Sequence, residues 1–173
     1  MRIDIVTLFP EFFESCLSVG LLGKALKERV TCSTIDPRQY THDVHRTVDD
    51  TPFGGGAGMV MKPEPIFAAL DEAQSRGPGP VVMMSPQGAR LSQRHLERWA
   101  EQPQLILLCG RYEGFDERIR DRVDEEVSLG DFVMTGGEPA AMAIVDAVVR
   151  LLPETLGNQE SIRTDSFTEP LLE

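Results

Sequence analysis

Hydrophobic positions along the chain fall into short solid runs and stretches of helical spacing. Ile3 to Phe9 reads IDIVTLF, β-branched and apolar with Pro10 as a stop, which predicts a buried first strand. Leu21, Leu22, Ala25 and Leu26 follow Gly20 at helical spacing, with Lys24 and Lys27 on the wet side. Val30 to Ile35 predicts a second strand, ended by Asp36-Pro37. From Arg38 to Met61 periodicity is lost and the chain turns polar, then glycine-rich. Such a segment is a linker or a functional loop that orders on a ligand, and a mobile substrate loop is the preferred reading. Pro63 in a first turn, then Ile66, Phe67, Ala68 and Leu70, predict an amphipathic helix that stops at Gly77-Pro78-Gly79-Pro80.

The second half repeats the alternation more tightly. Val81 to Met84 is a short apolar strand running into Ser85-Pro86-Gln87-Gly88, and Leu105 to Cys109 is another running into a glycine turn. Between them Leu91 to Ala100 predicts a crossover helix with Ser92 at its N-cap, completing a βαβ unit. Arg118, Ile119 and Val123 predict a short helix, and Glu126 to Val133 a strand region broken at Gly130-Asp131. Thr135-Gly136-Gly137-Glu138 has the spacing of a capping box; it opens a helix whose buried face is Ala141, Ile144, Val145, Val148 and Leu152, stopped by Pro153. The expected fold is α/β, three-layered, with a mostly parallel sheet and helices on both faces. Parallel strands would bring SPQG, CGRYEG and SLGDFVMTGG to one edge, where open α/β sheets bind ligands.

Composition narrows the function classes. At 173 residues and 41% hydrophobic content, one domain with a real core is expected. The longest apolar stretch, Ala140 to Leu152, is too short to span a bilayer and carries Asp146 and Arg150; the N-terminus lacks a signal-peptide core, so a cytoplasmic protein without membrane partners is expected. Cys16, Cys32 and Cys109 are widely spaced and His42 and His45 stand without a nearby cysteine, so no metal site is indicated. A net charge of −11 excludes non-specific wrapping of nucleic acid. Any RNA contact is local, drawing on Lys24, Lys27, Arg38, Arg46, Arg111, Arg150 and Arg163, while Asp121, Asp124, Glu125 and Glu126 face elsewhere.

Candidate chemistry gathers between Cys109 and Glu138. Gly110, Gly114, Gly130, Gly136 and Gly137 lie in two turns at expected strand ends. That density implies either positive φ and tight turns or a ligand lying against bare backbone, and the ligand is the preferred reading.

An ordered set of segments covers essentially the whole chain: VDDTPFGGGAGMVMKPEP, SPQG, LCGRYEGFDERI, EEVSLGDFVMTGGEPAAMAIVDAVVRLLP, LGN and SxxxDSF. In these the chain resembles the bacterial tRNA (guanine-37-N1)-methyltransferases of the SPOUT class. The resemblance implies a homodimer whose subunits each tie a deep trefoil knot around S-adenosylmethionine (SAM) and methylate tRNA at guanosine 37, beside the anticodon. It implies a catalytic domain over residues 1–156 and an interdomain linker over 157–173, with the family's C-terminal tRNA-binding domain absent. Alternatives are a SPOUT enzyme acting at another RNA site and a non-catalytic SAM-binding module.

By the same resemblance, SAM lies against Met84, Ser85 and Pro86, against Gly110, Tyr112 and Gly114, against Leu129, Gly130, Asp131, Phe132, Val133 and Met134, and at Gly136 and Gly137. Tyr112 is either a wall of that pocket or half-buried packing. Glu113 and Asp116 balance the cofactor's charge, bind Mg²⁺, or form surface ion pairs with Arg111 and Arg118. Guanine N1 carries a proton, so methylation there needs a base for the proton and a donor for charge shifting onto O6. The resemblance assigns these roles to Asp165 and Arg150, and it implies sites completed across the dimer, with Asp165 serving the partner's cofactor. An exposed Asp, with a pKa of about 3.9, is too weak to ionise the base in advance, so proton removal accompanies attack. On residue type alone Asp165 also fits a turn cap, and Arg150 an ion pair with Asp146 one helical turn before it.

Overall fold

The computed structural model describes residues 1–155. Five strands form one parallel sheet: β1 (Arg2–Val6), β2 (Thr31–Ile35), β5 (Val81–Arg90), β6 (Gln104–Cys109) and β7 (Glu125–Ser128), in the order β2-β1-β6-β5-β7. A separate antiparallel pair, β3 (Asp49–Asp50) with β4 (Val60–Met61), carries the glycine-rich loop at its tip. The helices are α1 (Gly20–Glu28), α2 (Pro63–Ser75), α3 (Gln93–Ala100) and α4 (Glu138–Leu151).

Strand side chains alternate between the two faces, and both faces are covered, which is why these strands read as solid apolar runs. Ile3, Ile5, Val82, Met84, Leu105 and Leu107 pack with α1, α3 and α4. Val81, Met83, Ile106 and Leu108 pack with Ile66, Ala69 and Leu70 of α2 and with Ile119 of the 3-10 turn Glu117–Arg122. Helices on both sides of a parallel sheet give the three layers expected.

Several boundaries move. β1 ends at Val6, two residues after which Leu8 is still buried, but Phe9 is partly exposed beneath two arginines. Leu21 lies on the outer side of α1. β5 does not stop at Met84. It bulges through Ser85–Gly88 and rejoins β7, so that Met84 and Ala89 both register with Val127. A Cβ on Gly88 would sit 2.4 Å from Val127 N, so only glycine lets the bulge lie against β7. The third strand region is shorter than expected, Glu125–Ser128, and the chain then leaves the sheet.

Thr135 is not an N-cap. That position belongs to Gly137, with Glu138 at the first helical position, because the Glu138 carboxylate is held inside the protein by Thr7 and Arg111 and cannot turn back to its own helix end. Asp121 and Asp124 are exposed and Glu125 and Glu126 half-buried, and three of the four are tied down by hydrogen bonds. Asp124 accepts from Val81 N at 2.8 Å, Glu125 from Trp99 Nε1 at 3.0 Å and Glu126 from Arg120 at 2.6 Å, pinning β7 beside β5.

Candidate active site

The C-terminal ends of β5, β6 and β7 open into a cleft of about 470 Å³, within the range of small-ligand sites. Its walls are the β5 bulge, the turn Gly110–Phe115 and the loop over residues 129–137. Tyr112 lies at the cleft with φ 59° and half its surface exposed. A left-handed conformation is costly for a bulky side chain and marks a functional constraint more often than an accident. Burial raises the Tyr112 phenol above its ordinary value; Asp49 adds to this, while Arg38 and Arg111 oppose it. Those two arginines also converge on the Phe9 ring, 5.6 and 4.4 Å from its centroid.

The glycines divide by what stands over them. A Cβ on Gly137 would be 2.9 Å from Cys109 Cα and 3.0 Å from Gly110 N, so the chain entering α4 is pressed against the end of β6; Gly137 N donates to Gly110 O at 2.9 Å. On Gly110 a Cβ would meet the Phe115 ring at 2.8 Å, and on Gly136 the Arg111 guanidinium at 2.3 Å. Gly114 has open space and φ 127°, a conformation that L side chains avoid. Glycine here serves the approach of one chain segment to another as much as the approach of a ligand.

All the expected cofactor-binding residues line the cleft except Asp131, which is exposed and outside its lining. Phe132, Val133 and Met134 are exposed by 56, 82 and 36%, an apolar strip that a ligand could cover. Arg150 lies half-buried in the last turn of α4. Twelve residues separate it from Glu138, about 18 Å along the helix axis, so it is not brought to the cleft of its own chain. Asp165 lies outside the described residues.

Sequence reasoning missed Glu126, Arg120 and Gln87, which meet on one cleft wall: Arg120 donates to Glu126 Oε2 at 2.6 Å and to Gln87 Oε1 at 3.1 Å. Glu126 follows a run of acidic residues that looks like solvated surface, and only the register of β7 against β5 turns it inward. Asp116 is held by Arg118 through both oxygens, each at 2.8 Å. Those hydrogen bonds hold its carboxyl below the usual range against the opposing effect of burial. Arg111 pairs with Glu138 rather than Glu113. Among the described residues no three His, Cys, Asp or Glu side chains converge as a metal site, and no helix is long and apolar enough to cross a membrane.

A parallel sheet with a glycine-rich cleft at its C-terminal edge defines an α/β ligand-binding enzyme domain. Residues 1–173 match the family model described as tRNA (Guanine-1)-methyltransferase TrmD, and the chain belongs to that family. A tRNA (guanine-N(1)-)-methyltransferase of Synechococcus sp. (strain JA-3-3Ab) is 53% identical, aligned over 100% of this chain and 69% of its own length. One from Lacticaseibacillus paracasei is 50% identical over the same shares. The crystal structure of tRNA (m1G37) methyltransferase from Aquifex aeolicus superposes with a TM-score of 0.85 at 37% identity, covering 98% of this chain and 76% of that one. The activity is accordingly methyl transfer to guanine N1 in tRNA, with SAM as the donor the family implies.

Proposed function

We propose that the cleft binds SAM and that the guanine methylated is at position 37 of tRNA, in a homodimer whose two sites lie at the subunit interface. The observation that carries the reading is a glycine-rich cleft of suitable size at the ends of three strands, in a chain superposing on the tRNA (m1G37) methyltransferase from Aquifex aeolicus. An adenine can be specified by main-chain N–H and C=O groups, and the exposed strip Phe132–Met134 offers it an apolar cover. Glu117 and Glu126 on the cleft wall are paired with Arg120, which leaves Glu113 as the lining carboxylate without an ion pair among the described residues to face the cofactor's positive charge.

SAM supplies a methyl group already activated on a sulfonium. The rest of the task falls to the protein at guanine. In this reading Asp165 accepts the N1 proton as N1 attacks, Arg150 donates to O6 as negative charge moves there, and the linker closes over the nucleotide to exclude water. Arg150 is ten residues beyond Ala140 on the cleft, about 15 Å along α4, which supports its serving the partner's cleft, and Asp165 is taken to serve that cleft with it. Residues 1–156 form the methyltransferase domain and 157–173 the linker. The close seating of Gly137 on Cys109 and Gly110 supports a knotted path for the chain into α4. Mg²⁺ has less support, because Asp116 is engaged by Arg118; a chelator titration of the rate tests it. An enzyme acting on tRNA in this way works in the cytoplasm.

Replacing Asp165 by Ala is expected to lower methyl transfer by about 10²–10⁴-fold while SAM affinity by calorimetry stays within a few-fold. Near-normal turnover would remove Asp165 as the base. A tRNA panel with each base at position 37 tests the target, and light scattering of the SAM-bound protein tests the dimer.

A further inference from the structure

Glu138 is 0% exposed, an ionisable side chain in the core that the chemistry above does not use. Three segments distant in sequence end on it. Thr7 Oγ1, just past β1, donates to Glu138 Oε1 at 2.9 Å and accepts from Phe9 N at 3.0 Å. Arg111, in the turn after β6, places Nη2 2.8 Å from Glu138 Oε2. The same guanidinium donates through Nη1 to Thr135 O at 3.2 Å and lies over Phe9. Gly136 passes so near that a Cβ would be 2.3 Å from Arg111 Nε and 2.6 Å from Glu138 Oε2. Neither of those two atoms has a well-directed hydrogen-bond partner, so the pair is close but off-line.

A buried ion pair adds little net stability, because desolvation offsets its attraction; its use is to fix one arrangement among several. Here the arrangement concerns the loop over residues 129–137. Its middle, Asp131 to Thr135, is exposed, and Arg111 ties it back to the sheet edge by the hydrogen bond to Thr135 O. Without Glu138 the Arg111 head would be free to turn to water, and Thr135 and Gly136 would lose what they rest on.

We propose that Glu138 is a positioning residue: it holds Arg111 against Thr135 and Gly136 and so sets the height of the loop 129–137 over the cleft. This rests on the reading of the cleft as the SAM site. Two readouts keep the ideas separate: hydrogen–deuterium exchange over 129–137 in the ligand-free protein, and SAM affinity by calorimetry.

In Glu138→Gln, exchange over 129–137 should rise about 10-fold or more, with β6 and α2 unchanged, and SAM should bind about 10–100-fold more weakly, as loss of a hydrogen-bonded charge predicts. The KM for SAM should rise with the KM for tRNA unaffected. Thr7→Val, which leaves the ion pair in place, should act in the same direction by a smaller factor. Arg111→Met combined with Glu138→Gln should be no worse than the poorer single variant, because the two act as one unit. Should Glu138→Gln fail to fold, Thr7→Val and Arg111→Lys carry the comparison, since a lysine cannot reach Glu138 and Thr135 together. Unchanged loop exchange, or faster exchange with SAM affinity intact, overturns the proposal. A wild-type chain that binds no SAM overturns the cofactor reading instead, and the exchange rates still decide whether Glu138 holds the loop.

Discussion

Asp4 shows how a single buried charge is kept in this protein. It is 0% exposed on β1 and accepts from Arg2, Arg76, Gln104 and Ser33 at 2.7 to 3.1 Å. Burial pushes its pKa up, but the four partners outweigh burial and hold it below the ordinary carboxylate value. A depressed folded pKa means that the unfolded chain binds the proton more readily. The contribution is therefore complete above the unfolded pKa, about 3.9, and is lost as pH falls through the lower folded value. Asp4→Asn should cost on the order of 2 kcal/mol at neutral pH, read from urea midpoints, and the gap from wild type should close below about pH 4. A constant gap from neutral to acid pH would mean that shape, not charge, matters at this position. The glycines carry a related lesson. Their number was legible as a sign of close approach, but what approaches was not: Arg111 over Gly136 and Phe115 over Gly110 come from turns whose conformation sequence spacing does not encode.

Among elements, two sequences have the look of an N-cap, and the structure separates them. Ser92 opens α3 with His95 three residues on: His95 Nδ1 accepts from Ser92 N at 3.1 Å and lies 2.7 Å from Ser92 Oγ. Thr135 is followed by Glu138 at the same spacing, yet that carboxylate goes to Thr7 and Arg111. Ser92→Ala should cost about 0.5–1 kcal/mol in urea unfolding and Thr135→Ala less than about 0.5. Equal losses would restore Thr135 as a cap. The strands and helices packed on both sheet faces were legible because a solid apolar run or a helical stripe follows directly from burial. The hairpin β3–β4 was not, since two-residue strands leave no periodicity. The β5 bulge was also hidden, because Ser85-Pro86-Gln87-Gly88 reads as a turn and its pairing with β7 depends on a strand forty residues later. The candidate site was legible as an edge and a set of residues, while its charged wall of Arg120, Glu126 and Gln87 needed the register.

For the whole molecule, the decisive geometry is the length of α4. Its N-cap Gly137 and first-turn Ala140 line the cleft, and its last turn carries Arg150, about 15 Å beyond Ala140 along the axis. If Arg150 acts at a cleft, it acts at another subunit's; with Asp165 proposed above to do the same, a two-fold dimer would do this twice by symmetry. Mixed dimers test the arrangement. Gly110→Val should abolish SAM binding, since its side chain would collide with the Phe115 ring at 2.8 Å in the cleft lining; Asp165→Ala should leave the cleft intact and remove the base proposed above. Each homodimer alone should be inactive. In a heterodimer with shared sites, one site joins the sound cleft of the Asp165→Ala subunit to the sound Asp165 of the other, and its twin holds both defects. Random reassociation of equal amounts should thus recover about a quarter of wild-type activity, half the dimers being mixed and each having one working site. Sites complete within one chain would give none, because every site in every dimer would then carry one defect. SAM binding in the mixture, counted by calorimetry, should equal the amount of Asp165→Ala subunit in either case, so a missing rate could not be mistaken for a missing cofactor.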